Sequence, residues 1–182
     1  EAGAETILIS GPVSLNPPDR ARTIYVKSAE EMHRVSVREA ANCQLFIACA
    51  AVADYRPKQK LTKKVKKDSD YMDISLIKNP DIASDVSALC NKPFTVGFAA
   101  ETQENNESLE KIAFEKLQRK KLDLIIANDI SNGSIGFDSD YNSVVVIDEN
   151  SSEIFPRIRK TQLSRQLISK ISQKIKIKNK EL

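Results

Sequence analysis

The chain has 182 residues, of which 41% are hydrophobic and 29% are charged, so we expect one soluble domain over residues 1–182 with a buried core. Its net charge of +3 is too small to indicate a nucleic-acid partner, and no apolar run is long enough to cross a membrane. Three widely spaced cysteines and one histidine offer no metal-binding spacing, which argues against a metal site and indicates a reduced, cytoplasmic protein.

Four apolar segments, taken in chain order, are predicted to be strands of a parallel sheet. Each is short, rich in β-branched residues or alanine, and stops at small or polar residues, as strands buried on both faces do. They are TILISGPVSL (6–15), CQLFIACAAVADY (43–55), FTVGFAAET (94–102) and LDLIIANDIS (122–131).

Helical patterns alternate with these strands. One helix is predicted to open at Ser28, with Glu31 three places on as the second half of a capping box. Another is predicted to have Asn79 at its N-cap and Pro80 as its first residue. The segment ESLEKIAFEKLQRKK repeats apolar residues along one helical face. The alternation predicts an α/β fold, Rossmann-like and doubly wound, with a mainly parallel sheet.

Two segments depart from this alternation. KLTKKVKK and YMDISLIK are predicted to form an antiparallel ribbon over residues 61–78, with Ile74 and Leu76 on an apolar face. A lone ribbon is marginally stable, so we expect it to pack against another element or a second subunit. NSVVVID and SSEIFPRI are predicted to form a hairpin, followed by a C-terminal helix and basic tail over residues 161–182. The basic tail favours a solvated helix over a nucleic-acid contact.

The residues that end the predicted strands are candidates for ligand binding, because ligands bind outside the carboxyl edge of an open parallel sheet. Asp54, Glu101 and Asn128 each follow an alanine at such an end. Alanine lets a ligand approach the backbone closely, or it simply lets helices pack near the sheet. The lysines that follow Asp54 up to residue 67 suit a polyphosphate, although for most of them a solvated surface is the better interpretation.

Several common enzyme motifs are missing from the sequence. The chain has only five glycines and contains neither GxGxxG nor GxxxxGK[ST], so the usual dinucleotide and P-loop devices are excluded. The one histidine, His33, falls in a polar helical stretch, so no Ser–His–Asp or Cys–His arrangement for nucleophilic catalysis is expected.

The motifs SGPVSL, ACAAVADYR, KKVKK, KNPDI, GFAAET and LDLIIAND follow one another in an order and spacing that resembles a known family. That family is phosphopantothenoylcysteine synthetase, the ligase of coenzyme A biosynthesis, in its bacterial CTP-using form. Its members begin with a further strand and an SSGKMG-like loop, which this sequence lacks. Members often form the C-terminal half of a bifunctional protein, so the resemblance implies a fused or associated phosphopantothenoylcysteine decarboxylase.

The resemblance implies a two-step ligation by a cytoplasmic homodimer that uses the ribbon as its dimerisation element. The carboxylate of 4′-phosphopantothenate attacks the α-phosphate of CTP, pyrophosphate leaves, and the amino group of cysteine attacks the resulting acyl-cytidylate. Mg²⁺ would be held mainly by phosphate oxygens. The alternative from another class is a non-catalytic nucleotide-binding or regulatory module.

The family's site residues carry over to this chain by position. Lys64 matches an essential lysine that would stabilise charge on the α-phosphate, and Ala51 would lie near the pantothenate moiety. The topology, however, predicts Lys116 and Lys120 at the opposite edge of the sheet, because their helix runs back antiparallel to the strands. The implied nucleotide contacts are Ala48, Cys49, Ala50, Asp54, Lys64, Asn79, Pro80, Asp81, Ile82, Phe98, Lys116 and Lys120.

Overall fold

The computed structural model describes residues 2–59, 70–101, 108–130 and 139–178. The strands in these ranges are β1 (Thr6–Ser10), β2 (Ala21–Tyr25), β3 (Leu45–Ala48), β4 (Tyr55–Pro57), β5 (Leu76–Lys78), β6 (Phe94–Glu101), β7 (Leu124–Asp129), β8 (Tyr141–Ile147) and β9 (Ser152–Arg159). The helices are α1 (Ala29–Ala40), α2 (Ile82–Ser87), α3 (Leu109–Lys120) and α4 (Lys160–Lys178).

Five strands form the main sheet, in the order β3-β6-β7-β8-β9. The first three are parallel, whereas β8 and β9 are added antiparallel as the predicted hairpin. Val96, Leu124 and Ile126 are fully buried in this sheet, as expected of parallel strands that are covered on both faces. The predicted α/β fold is confirmed.

Helices cover both faces of the main sheet. Successive side chains of β7 point to opposite faces of the sheet. Leu124 and Ile126 pack with the buried residues of α4, whereas Ile125 and Ala127 pack with those of α3. Helices α1 and α2 pack together on the α3 side around Val86. Because β6 and β7 are held from both faces, their carboxyl ends have fixed positions.

Two of the four apolar segments predicted to be strands of the parallel sheet form much shorter strands. The segment 43–55 is not one strand, since β3 ends at Ala48 and the chain leaves the sheet before β4 begins at Tyr55. The backbone carbonyls of Ala53 and Asp54 are bonded to Asn79 instead of to a neighbouring strand. Similarly, β1 ends at Ser10, ahead of a Gly-Pro pair that interrupts ladder hydrogen bonding.

Strands β1 and β2 form a separate two-stranded parallel sheet. No strand was predicted at β2, whose sequence ARTIY is short and half polar. Within the described residues, β1 pairs with β2 and β3 pairs with β6. The other edges of β1 and β3 border one cavity of about 1330 Å³, lined by residues 6–9 on one side and 44–48 on the other.

The ribbon has its base at β4 and β5, where Tyr55 lies opposite Lys78 and Pro57 lies opposite Leu76. The predicted strand at 71–78 is thus present only as Leu76–Lys78 among the described residues, and its partner there is β4. The predicted partner KLTKKVKK starts at residue 60 and lies outside the described residues. Four apolar side chains of this ribbon are more than half exposed, namely Tyr71, Met72, Ile74 and Leu76.

Three of the four described helices begin after a residue whose side chain caps the helix, and one of these caps was predicted. Ser28 caps α1 as predicted, and its hydroxyl accepts a hydrogen bond from the Glu31 N–H at 3.2 Å. Ser108 caps α3 in the same way. The predicted cap of α2 is wrong, because Asp81 and not Asn79 accepts the Ser84 N–H, at 3.2 Å.

The C-terminal helix is confirmed and begins one residue before the predicted range. It starts at Lys160 and is described as far as Lys178, and the last four residues of the predicted basic tail lie outside the described residues. Leu163, Leu167 and Ile171 bury its apolar face against the main sheet. Among the described helices, none combines the length and apolar character that a membrane span requires.

Candidate functional site

The candidate site lies beyond the carboxyl end of β3. Ala48 pairs with Gly97, so β6 continues for four residues past the end of β3. Phe98 and Ala100 alternate with buried neighbours in this stretch and are exposed. The small side chains that follow β3 leave open space at this end of the sheet. The alternation along β6 places the ring of Phe98 at the same space.

The same cavity of about 1330 Å³ brings the predicted site residues together. It is lined by the strand-end residues Ala48, Cys49, Ala50, Ala51 and Asp54, by Asn79, Pro80, Asp81 and Ile82, and by Phe98, Lys116 and Lys120. Lys64 is not among them, because it lies outside the described residues.

Both helix lysines reach this cavity, and the expectation that they lie at the opposite edge is wrong. The Lys116 ammonium pairs with the carboxylate of Glu101, the last residue of β6. The Lys120 Nζ lies 3.0 Å from Asp81 Oδ2. Long cationic side chains can place their charge well away from their own Cα atoms, so the direction of α3 alone does not fix where these ammonium groups lie.

Two carboxylates of the site thus hold cations. Partial burial of Asp81 opposes its ionisation, but hydrogen bonds from Lys120 and from the Ser84 N–H outweigh that effect and lower its pKa. Asp81 is therefore ionised at neutral pH and holds the Lys120 ammonium at the cavity wall. A polyanion entering the cavity would meet two lysines that are already oriented.

Cys49 is not suited to act as a nucleophile. The residue as a whole is exposed, but its thiol is desolvated by neighbouring atoms, which raises its pKa. Since the thiolate is the reactive form, the thiol remains largely unreactive at neutral pH. In the part of the chain that the structure describes, no cluster of three histidine, cysteine or carboxylate side chains could hold a metal ion.

A network at the base of the ribbon was not predicted from the sequence. The Asn79 amide group donates to the Ala53 carbonyl at 2.7 Å, and its amide oxygen accepts from Arg56 at 3.1 Å. Arg56 also donates to Glu30 of α1 at 2.9 Å. Arg56 lies two residues after Asp54, but no local pattern indicates that Glu30, which lies 26 residues earlier, is its partner.

Comparison with known proteins gives a consistent set of similarities. A family model described as "DNA/pantothenate metabolism flavoprotein C-terminal domain" matches residues 1–175. The chain is 44% identical over 174 residues to the coenzyme A biosynthesis bifunctional protein CoaBC of Vibrio vulnificus strain YJ016, covering 94% of this chain and 42% of that protein. The chain therefore spans less than half the length of this curated relative.

Two solved structures have a similar fold. A crystal structure of the C-terminal domain of the bifunctional protein CoaBC superposes with a TM-score of 0.76 at 31% identity, covering 96% of this chain and 78% of that one. A Cab2 mutant in complex with phosphopantothenate-cysteine superposes with a TM-score of 0.61 at 14% identity, covering 88% and 56%. The second likeness is one of fold alone.

Proposed function

Because the chain belongs to the DNA/pantothenate metabolism flavoprotein C-terminal domain family, we propose that it carries a phosphopantothenate–cysteine ligase activity of coenzyme A biosynthesis. The resemblance indicated by the sequence motifs is confirmed at the level of the family. The observation that carries the proposal is the single cavity lined by strand-end alanines, an exposed aromatic ring and two oriented lysines.

The proposed reaction has two steps. A carboxylate oxygen of 4′-phosphopantothenate attacks the α-phosphorus of CTP, the bond to the β-phosphate breaks, and pyrophosphate leaves with its electron pair. The cysteine nitrogen then attacks the carbonyl carbon of the acyl-cytidylate and loses a proton, and CMP leaves. Negative charge grows at the α-phosphate in the first step, so cationic groups fixed nearby accelerate that step.

The cavity offers groups for each part of the nucleotide. The half-exposed ring of Phe98 can pack against a planar base, and the backbone from Ala48 to Ala50 is open to close approach. The ammonium groups of Lys116 and Lys120 suit the phosphates. Lys64 is proposed to act at the α-phosphate, a role that rests on the family resemblance because Lys64 lies outside the described residues.

The remaining parts of the proposal concern cofactor and assembly. Mg²⁺ would enter with the triphosphate, since this ion keeps phosphate and water oxygens as ligands. The apolar side chains exposed on the ribbon, Ile74 and Leu76 among them, favour a homodimer in which two ribbons cover each other. A decarboxylase partner and a cytoplasmic location are proposed from the bifunctional relatives.

Single-turnover release of pyrophosphate from CTP and 4′-phosphopantothenate, without cysteine, tests the activity in the full natural protein. We expect Lys64→Gln to slow this release by about a hundredfold, since it removes one charge-stabilising group. Lys63→Gln is the matched control and should leave the rate almost unchanged. If the parent protein binds CTP and releases no pyrophosphate, the chain is a non-catalytic nucleotide-binding module instead.

The choice of nucleotide has its own test. Backbone amides near Ala48 can distinguish the edge of cytosine from that of adenine, so CTP with Mg²⁺ should raise the melting temperature more than ATP does. Equal shifts for all nucleoside triphosphates would show that the cavity recognises phosphate alone.

Sedimentation at micromolar concentration tests the proposed homodimer, and a clean monomer would contradict it.

A further inference from the structure

Arg56 connects three segments of the chain at the base of the ribbon. Its Nη1 donates to the Lys78 carbonyl at 2.8 Å and to Asn79 Oδ1 at 3.1 Å. Its Nη2 donates to Glu30 Oε1 at 2.9 Å. The guanidinium therefore joins β4, the end of β5 and the first turn of α1 through one planar group.

Asn79 passes this constraint on to the turn after β3. The residue is buried, with 8% of its surface exposed. Its Nδ2 donates to the Ala53 carbonyl at 2.7 Å, and its backbone N–H donates to the Asp54 carbonyl at 2.8 Å. Since the guanidinium can only donate, it fixes the amide oxygen of Asn79 towards itself and the NH₂ group towards Ala53.

We infer that Arg56 is a positioning residue for the candidate site. Through Asn79 it fixes the backbone of Ala53 and Asp54 at the cavity wall, and directly it fixes the ribbon base against α1. Because Ala53, Asp54 and Asn79 all line the cavity, a shift at the ribbon base changes the shape of the cavity wall. The effect on catalysis rests on the proposed ligase function, whereas the effect on the local structure does not.

A lysine could not replace Arg56 in this role. The guanidinium presents several N–H groups in a rigid plane, whereas an ammonium is a single compact charge on a flexible stem. Lysine could reach one of the three acceptors and would leave the others without this donor. The Glu30 carboxylate is 56% exposed, so its ion pair with Arg56 alone contributes little to stability. Most of the positioning effect therefore comes from the bonds to the Lys78 carbonyl and to Asn79 Oδ1.

The test compares Arg56→Ala and Arg56→Lys in the full natural protein, with Arg34→Ala as a control that removes the same charge from an exposed position on α1. Amide hydrogen exchange is measured over residues 53–59 and 76–81, and kcat and KM for CTP are measured in the ligase reaction. We expect both Arg56 variants to exchange faster in these two segments while β6 and β7 stay protected. Misplacement of the site should lower kcat/KM by about 10- to 100-fold.

Ethylguanidinium added to the Arg56→Ala protein should restore much of the lost activity, because Arg56 is partly accessible, while ethylammonium should not. Rescue by one cation and not the other is the readout that general destabilisation would not give.

Unchanged exchange in both variants would overturn the inference whatever the activity. Faster exchange with parental kcat/KM, or with a loss that ethylguanidinium does not rescue, would overturn its catalytic part. If the parent protein has no ligase activity, faster exchange still supports the positioning of the turn, and the proposed function fails separately.

Discussion

The main sheet and the β1–β2 pair differ in how completely they are covered. In β6 and β7 most residues are buried, whereas in β1 and β2 every residue is half-buried or exposed. The pair is attached to α1 through the ion pair between Arg22 and Glu39. The cavity thus has one wall that belongs to the packed core and one wall that has little packing behind it.

Because of this difference, the ligand-binding groups can be held by the well-packed wall while the less packed wall moves. The groups proposed to bind the nucleotide stand mainly on the packed wall, at the ends of β3 and β6 and on α3. Local stability follows buried apolar contact, so these groups should hold their positions in fluctuations that displace β1 and β2. Ile126→Ala and Leu8→Ala test this division, and Asp148→Asn tests an ion pair that follows β8 on the packed side.

The largest effect is expected from Ile126→Ala on the packed side. Ile126 is fully buried in the cluster formed by the main sheet and α4. Removing its side chain leaves a cavity and should lower the free energy of unfolding by about 2–5 kcal/mol. Urea unfolding measures this loss. A loss of less than about 1 kcal/mol would show that the main sheet is not the stable part of the molecule.

A smaller effect is expected from Leu8→Ala on the other wall. Leu8 is half-buried on β1, so less apolar surface returns to water, and the free energy of unfolding should fall by about 1 kcal/mol. The same urea experiment gives the value. A loss as large as that of Ile126→Ala would remove the distinction between the two walls.

The smallest effect is expected from Asp148→Asn, and it depends on pH. Burial opposes ionisation of Asp148, but hydrogen bonds from Lys174, from the Asn150 N–H and from Ser151 lower its pKa below the usual aspartate value in the folded protein. The ionised carboxylate contributes fully to the free energy of unfolding when the pH is above the pKa of Asp148 in the unfolded chain. That contribution is lost as the pH falls through the lower pKa of the folded protein.

The substitution should therefore lower the free energy of unfolding by about 0.5 kcal/mol near neutral pH, the low end of the range for a hydrogen-bonded pair. The difference between parent and variant should shrink as the pH falls through the lowered pKa of Asp148, because the carboxylate then becomes protonated in the folded protein as well. Thermal unfolding of both proteins across this range measures it. A difference that stays constant with pH would mean that the carboxylate charge has no part in it.

The fold was predictable where a sequence pattern has one physical cause. FTVGFAAET and LDLIIANDIS are continuous apolar runs because both faces of β6 and β7 are covered, and the structure confirms both strands. Ser28 caps α1 as predicted, through a bond from the residue three places on. In each case the determining contact lies within a few residues of the chain or repeats along it.

The remaining features depend on contacts between distant residues. Strand β2 carries too little apolar sequence to be recognised and exists because it pairs with β1. Asn79 was expected to cap α2, but its side chain is occupied by Ala53 and Arg56, so Asp81 takes that place. The positions of Lys116 and Lys120 depend on their carboxylate partners and on the length of their side chains.

The facing edges of β1 and β3 affect how this chain behaves at high concentration. Within the described residues, each of these strands is paired on one side and borders the cavity on the other. An unpaired strand edge is a template for β-pairing with another molecule, and the sequences TILIS and LFIA carry no charge that would oppose it. We expect light scattering by the 182-residue chain to rise with concentration below its melting temperature, so that aggregation and not unfolding limits its lifetime in solution.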